Sequence, residues 1–433
     1  MKRKITMALC LLPFAVFAGG FQIPQQSIKS TGLGGAFTGI CTDASAVFFN
    51  PAGMTNLFGQ NVTIGSVGLF PSVSVLTQDN VNTNQTTSVY TPIEFYYSGQ
   101  ICKNFWVGLS INNQFGAAAS YPNTWEGEYI VQTIKLQTFM FQPTIAYKIC
   151  DQLSVGAGFV YSLGTFGGSK ALPVSGATTS GDTTRNGEVN LSGTGHAFGY
   201  NIGLFSKIFE HKADSASNSW GEALTIGVSY RSGMPFTVPN GTADFTDIPA
   251  SIASQFPASE GVSTSVSLPA VLSAGVALKF SKGYNWDFMV AFDFNLTYWS
   301  SYDSLRFNFA DPNTPSSTYQ YGWSNATAYR LGVEATYMKK YTLRAGYYID
   351  NTPEVSSMTP EVVDGSNAGF SVGASYKFNC GLSLDFAYLN SNFTRDNVSF
   401  TSQNFTASYH RIVNVIGFGV NYAFNCKCKK SSN

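Results

Sequence analysis

Trp286-Asp287-Phe288-Met289-Val290-Ala291-Phe292-Asp293-Phe294-Asn295-Leu296-Thr297-Tyr298 is the stretch that decides the fold class. Side chains of an extended chain alternate between two faces. Trp286, Phe288, Val290, Phe292, Phe294, Leu296 and Tyr298 therefore share one face, opposite Asp287, Asp293, Asn295 and Thr297. The pattern recurs toward the C-terminus. Phe370, Val372, Ala374, Tyr376 and Phe378 alternate with Ser371, Gly373, Ser375 and Lys377. Ile412, Ile416, Phe418, Val420, Tyr422 and Phe424, interrupted by Asn414, lie opposite Gly417, Gly419, Asn421 and Ala423. A soluble sandwich would carry Lys and Glu on its exposed face. Gly, Ser and a few charges there describe a lumen, and the bulky face describes lipid contact.

Composition agrees. A chain of 433 residues suggests two or three soluble domains, but only 12% of it is charged, roughly half the usual share. It holds 35 Phe, 23 Tyr and 42 Gly. Beyond an N-terminal export signal there is no apolar run of the ~18 residues that a membrane helix needs. The reading is all-β: a closed, antiparallel transmembrane barrel. The balance of 25 basic and 25 acidic residues removes any whole-chain electrostatic reason to expect nucleic acid.

Fourteen alternating segments are predicted, near 62–76, 87–100, 105–117, 133–149, 153–168, 190–208, 223–238, 266–281, 284–309, 319–338, 340–350, 367–379, 381–395 and 407–424. The count is even, as bacterial barrels require. Short turns such as Cys150-Asp151-Gln152 and Met338-Lys339-Lys340 alternate with long polar loops such as 169–189, 239–265 and 351–366. Short turns are periplasmic, so both termini are expected there. The turn 209–222 is longer than this rule, and Pro143 falls on a lipid-facing register, where it costs a ladder hydrogen bond.

Lys2, Arg3 and Lys4, the apolar stretch from Ile5 to Phe17, and Val16-Phe17-Ala18 read as an export signal cleaved before Gly19. The expected organisation is a signal peptide over 1–18, a plug over 19–61, the barrel over 62–424 and a periplasmic tail over 425–433. The plug segment is rich in Gly, Ser and Thr and breaks at Asn50-Pro51. It also carries Phe21, Ile23, Phe37, Val47, Phe48 and Phe49, too apolar to stay hydrated, which favours packing inside the barrel over a loose tail. On this topology Cys102, Cys150 and Cys380 fall in short turns, and Cys426 and Cys428 follow the last strand at the same end. At least one disulfide on that rim is expected, Cys102 with Cys150 or Cys380 with Cys426 or Cys428; a link to Cys41 is a further possibility, and six free thiols are the alternative. Cys426-x-Cys428 lacks a second pair or a nearby His, so no metal or cofactor is expected.

The chain resembles the FadL family of outer-membrane long-chain fatty acid transporters. Gly20-Phe21-Gln22 and Asp43-Ala44-Ser45-Ala46-Val47-Phe48-Phe49-Asn50-Pro51-Ala52-Gly53-Met54 are similar to its N-terminal hatch, with Phe48, Phe49, Asn50, Pro51 and Ala52 at the hatch element. Val107-Gly108-Leu109 through Asn113-Gln114-Phe115-Gly116, Tyr230-Arg231-Ser232, Tyr298-Trp299-Ser300 through Leu305-Arg306, Ala328 to Gly332 and Leu343 to Gly346 are similar to its strands. The resemblance implies a 14-stranded barrel in the bacterial outer membrane, closed by a small hatch, with outer-membrane lipid and a hydrophobic ligand as partners; a monomer is expected. It implies passive uptake, with capture among extracellular loops, lumenal binding, hatch rearrangement and lateral exit where the third strand kinks inward. Asn112, Asn113, Phe115 and Gly116 fall there; a local bulge at this polar pair is the competing reading.

A fatty acid needs an apolar groove and a cation or donor for its carboxylate. Parity puts Arg330, Glu334 and Arg344 on lumen faces, where a ligand site and ion pairing of either arginine with Glu334 or Asp385 both fit. The resemblance implies a carboxylate role for Arg306, although strict parity from Trp286 points it outward unless a bulge intervenes. A second basic position of the family is Leu163 here, which leaves room for a neutral aromatic hydrocarbon. Tyr121, Trp125 and Tyr129 cluster in loop 118–132 as a capture groove or a membrane-interface girdle. A general porin does not fit a filled plug. A barrel enzyme such as a phospholipase would need more than His196, His211 and His410, without a Gly-x-Ser-x-Gly elbow; no catalytic role is expected.

Overall fold

The chain closes on itself: β1 (Gln60–Thr77) and β14 (Phe405–Phe424) pair antiparallel from Gln60↔Phe424 to Thr77↔Ala407. The computed structural model describes residues 20–86, 88–174, 186–211, 220–282, 285–314, 316–354, 358–400 and 403–424. The segment expected to be an export signal, the tail with Cys426 and Cys428, and most of the turn 209–222 lie outside them. Between the two closing strands run β2 (Ile93–Cys102), β3 (Phe105–Asn112 and Gly116–Ser120), β4 (Thr133–Lys148), β5 (Leu153–Leu172) and β6 (Gly187–His211). There follow β7 (Trp220–Arg231 and Met234–Thr246), β8 (Ser259–Leu268 and Val271–Lys282) and β9 (Trp286–Thr297 and Ser304–Phe309). The circuit is completed by β10 (Ser317–Gln320 and Ala326–Tyr337), β11 (Tyr341–Asp350), β12 (Asn367–Lys377) and β13 (Leu382–Phe400). This is a closed, 14-stranded antiparallel barrel. Its outer face is apolar, with Leu343 68% and Phe418 64% exposed, the arrangement lipid tolerates and water does not.

Four strands expected to be continuous are broken side by side, at 232–233 in β7, 269–270 in β8, 298–303 in β9 and 321–325 in β10. The wall creases along that line. Pro269 has no N–H to give a ladder, and Trp299 and Trp323 turn inward there, 0% and 5% exposed, with ring centroids 5.1 Å apart. Burying an aromatic side chain of 150–250 Å² is worth roughly 4–6 kcal/mol at ~25 cal/mol per Å². A ladder hydrogen bond nets only ~1 kcal/mol. Packing wins over pairing. Pro143 is accommodated on the outer face of β4: the β4–β5 ladder skips Gln142 and Pro143 and resumes in the same register.

Residues 20–59 fill the lumen. α1 (Ile28–Gly32), α2 (Ala46–Phe49) and a 3-10 helix (Pro51–Asn56) are too short to stand alone, and the wall holds them. Asp293, a lumen residue of the deciding stretch, accepts hydrogen bonds from Phe37 N at 2.8 Å and Thr38 N at 2.7 Å. Leu33, Ala36, Phe37 and Ile40 pack on Ala277, Met289 and Ala291. Asn50 accepts from Ala52 N to start the 3-10 helix and donates to Leu204 O of β6 at 2.9 Å. Lumen glycines allow this contact: a side-chain carbon on Gly346 would overlap Gly34, and one on Gly227 would overlap Thr38.

Among the described residues the cysteines are unbridged. Cys102, Cys150 and Cys380 are exposed, so the expected Cys102–Cys150 bridge is not formed; the pairing of Cys380 with Cys426 or Cys428 lies outside the described residues. Cys41 cannot tether to the rim. It is buried inside the plug, its Sγ facing Phe37 O and Thr38 O.

Candidate functional site

β3 changes direction at Asn113-Gln114-Phe115. Its ladder to β2 ends at Glu94↔Asn112, and the outer piece, Gly116–Ser120, pairs with β4 alone. Three residues leave the wall and pair instead with the start of the plug. Ile23 N donates to Gln114 O at 2.8 Å, Gly116 N donates to Phe21 O at 3.1 Å, and Gln22 bridges Phe115. The polar pair explains how the break is tolerated. Backbone groups that lose a ladder must find other partners, and Asn113 supplies them: its Oδ1 accepts from Ile93 N at 2.9 Å and its Nδ2 donates to Thr138 O at 2.6 Å. Its own carbonyl accepts from Gln26 Nε2 at 2.8 Å. Asn112 Nδ2 reaches Tyr96 Oη at 3.4 Å. The feature is a three-residue inward excursion rather than a one-residue bulge.

A cavity of about 870 Å³ lies against this excursion. Its floor is the plug, with Phe48 and Phe49, and one side is the N-terminal segment Phe21 to Pro24. Leu69, Val73, Tyr348, Leu389 and Val413 supply apolar wall. Tyr90 to Pro92 and Gly116 to Ala119, the two sides of the break, both line it, as do the exposed Val89, Lys135 and Gln137. The cavity thus reaches the wall at the break, beside Ile93, which is apolar and 45% exposed. Above Phe21, the aromatic rings of Trp299, Tyr302 and Trp323 close in at 4.6, 5.4 and 5.9 Å between centroids.

The expected ligand residues are dispersed. Arg330 lines the cavity, but its Nη2 is 2.9 Å from Asp350 Oδ1, its Nε donates to Asn295 Oδ1 at 2.9 Å, and its Nη1 donates to Gly34 O at 3.3 Å. Arg344 is not at the cavity. It lies beneath α1, paired with Glu334 at 2.7 Å and Asp385 at 3.6 Å. Arg306 is exposed on the outer side of β9 between inward Leu305 and Phe307; the interruption at 298–303 leaves it outside the lumen. The exposed aromatic groove expected of loop 118–132 is not present. Tyr121 and Trp125 are buried and stacked, centroids 4.1 Å apart. Tyr121 Oη donates to Pro360 O at 2.9 Å and Trp125 Nε1 to Val131 O at 2.7 Å, so this pair pins loops together. Tyr129 is 38% exposed. Phe48 and Phe49 lie on α2, and Asn50, Pro51 and Ala52 lie at the start of the 3-10 helix. His410 is exposed, its Nδ1 hydrogen-bonded to Thr394 Oγ1 at 2.9 Å.

Several lining residues were not singled out from the sequence. Asp364 takes a hydrogen bond from Gly20 N at 2.8 Å and lies 3.8 Å from Arg411 Nη1. It belongs to the long loop 351–366, whose fold over the cavity no local pattern announces. Arg231 was legible: parity places it on the lumen face with Gly227 and Ser229, opposite the outward Ile226 and Val228.

The profile of the family described as "Outer membrane protein transport protein (OMPP1/FadL/TodX)" matches residues 9–424. The "Long-chain fatty acid transport protein" of Salmonella typhi is 23% identical over 411 residues, covering 89% of this chain and 90% of that one. The "Outer membrane protein P1" of Haemophilus influenzae is 22% identical over 482 residues, covering 98% and 100%. Among solved structures, a Pseudomonas aeruginosa FadL homologue superposes with a TM-score of 0.76 at 16% identity, covering 94% of this chain and all of that one. The Pseudomonas putida toluene transporter TodX gives 0.67 at 16% identity, covering 95% and 99%.

Proposed function

The chain belongs to the outer membrane protein transport family, and on that premise we propose that it is a passive outer-membrane channel for long-chain fatty acids or similar hydrophobic molecules. A ligand enters from the extracellular loops, rests in the cavity, and leaves sideways through the break between β2 and β3 once the plug shifts. The observation that carries this reading is the shared edge: the excursion Asn113-Gln114-Phe115 that interrupts the β2–β3 ladder is hydrogen-bonded to Phe21–Ile23, the segment that walls the cavity. Moving that segment changes the cavity and the exit together. The names of the fatty acid relatives support the substrate class.

Uptake of neutral aromatic hydrocarbons is the second reading. It is favoured by Arg330 being committed to Asp350 and Arg344 to Glu334, and by the likeness to a toluene transporter.

Gln22 and Phe115 face each other across a β-bridge, where Cα atoms are ~4.5–5.5 Å apart and a disulfide can form. Gln22→Cys with Phe115→Cys, with Cys102, Cys150 and Cys380 replaced by Ser, tests the mechanism. Oxidation is expected to stop uptake of a fluorescent fatty acid by whole cells, and reduction to restore it. Unchanged uptake through the oxidised lock would refute this route. Parallel uptake of a long-chain fatty acid and of toluene chooses between the two ligand classes.

A further inference from the structure

Arg231 ends the lower segment of β7, borders the cavity and is 5% exposed. Its guanidinium lies over the ring of Phe48, 4.5 Å from the centroid. Nη2 donates to Phe48 O at 3.2 Å and to Gln142 Oε1 at 2.8 Å, both neutral acceptors. Nη1 is buried and finds no acceptor among the described residues. The other cavity arginines differ. Arg330 has Asp350 and Arg411 has Asp364, whereas Arg231 has no carboxylate at ion-pair distance among the described residues.

What Arg231 holds is the end of α2. Asn201 Nδ2 also donates to Phe48 O, at 3.0 Å, and Gln142 Nε2 donates to Val47 O at 2.7 Å. Three wall side chains from β4, β6 and β7 thus hold the last turn of α2 through two backbone carbonyls. Phe48 and Phe49, on that turn, are the floor of the cavity. One guanidinium therefore belongs both to the ligand chamber and to the fastening of the plug.

We propose that Arg231 is the anchor for the carboxylate of a long-chain amphiphile, and that anchoring it there unfastens the plug. The inference rests on the transport reading above and deepens it. A guanidinium presents donors in a planar fork that suits two carboxylate oxygens, and it binds an anionic acceptor more strongly than a neutral carbonyl. A carboxylate arriving from the cavity takes the idle Nη1 and displaces Phe48 O from Nη2. The state in which α2 has let go is then the state with the higher carboxylate affinity. A ligand shifts an equilibrium only by its differential affinity for the two states. An alcohol with the same tail fills the same apolar space and lacks that difference.

The test uses the full barrel extracted in detergent, with palmitate and cetyl alcohol as probes. Wild type is expected to prefer palmitate by about tenfold or more, the scale of one charge-assisted contact. Arg231→Met should abolish the preference, palmitate then binding no more tightly than cetyl alcohol. The plug is followed by the labelling rate of Cys41, buried within it, after Cys102, Cys150, Cys380, Cys426 and Cys428 are replaced by Ser. Palmitate should speed labelling when Arg231 is present and cetyl alcohol should not; Arg231→Met should label fast without ligand. A palmitate preference that survives Arg231→Met overturns the anchor. Equal acceleration by both probes with Arg231 intact overturns the coupling, without recourse to a variant. Failure of wild type to bind either probe overturns the transport reading itself, and the anchor with it.

Discussion

Arg344 is a lumen arginine whose position alone does not make it a ligand group. Its guanidinium sits between Glu334 and Asp385, with its side chain 4% exposed. Removing one partner from a buried ionic cluster leaves the other charge stranded, at about 3–5 kcal/mol. Arg344→Ala is expected to lower barrel stability by that order, read as an earlier denaturation midpoint in detergent. It should leave the relative affinity for palmitate and cetyl alcohol unchanged. Arg306→Ala serves as the contrast: an exposed outer residue is expected to move stability by no more than about 0.5 kcal/mol and ligand affinity not at all. A fatty-acid-specific loss in either variant would return that arginine to the binding site.

Docking of the loop 351–366 is expected to depend on pH. Burial pushes the Asp364 carboxyl up from its ordinary 3.8 to about 6, against the opposing pull of the Arg411 guanidinium and the Gly20 N–H. Burial also raises Glu354 and Glu361 of the same loop. The docked loop therefore holds its protons more tightly than the undocked one. By linkage the Asp364 contribution to docking is complete below the ordinary carboxyl range and is lost as the pH rises through about 6, and the contributions of Glu354 and Glu361 have the same sign. Amides of 358–366, and those of Gly20 to Ile23 beside them, should show more opening at pH 7.5 than at pH 5 by hydrogen exchange corrected for the intrinsic rate. Asp364→Asn should narrow the difference. Equal protection at both pH values would mean that burial of these carboxyls does not govern docking.

At the scale of the whole molecule, wall and plug are fitted through residues with no side chain. Gly346 has an ordinary extended backbone; a side-chain carbon there would overlap the backbone of Leu33 and Gly34 in the plug, with only the movable Ser371 Oγ of β12 in the way on the wall side. Gly346→Val should therefore leave a heat-modifiable barrel and expel the plug. The expected readouts are raised single-channel conductance in planar bilayers and fast labelling of Cys41. Wild-type conductance in a folded Gly346→Val barrel would show that the plug does not depend on this contact.

Period-two alternation, scarce charge and the spacing of short turns were enough to read the closed 14-stranded wall and its lumen face. These are local properties: each strand must satisfy lipid on one side and lumen on the other whatever its neighbours are. The same parity made Arg330 and Arg344 recognisable as lumen residues and pointed Arg306 outward; applied to the stretch around Arg231 it puts that residue in the lumen as well. The sequence could not tell a paired lumen cation from an idle one, because Asp350, Glu334 and Asp385 reach their arginines across strands whose register is a tertiary property. Nor could it place Tyr121 and Trp125, which have the composition of an exposed groove but stack beneath a loop from some 240 residues away. The crease from β7 to β10 was hidden for a related reason. Apart from Pro269, each of those strands alternates well enough to be continuous, and it is the burial of Trp299 and Trp323 against Phe21 that makes breaking them the lower-energy choice.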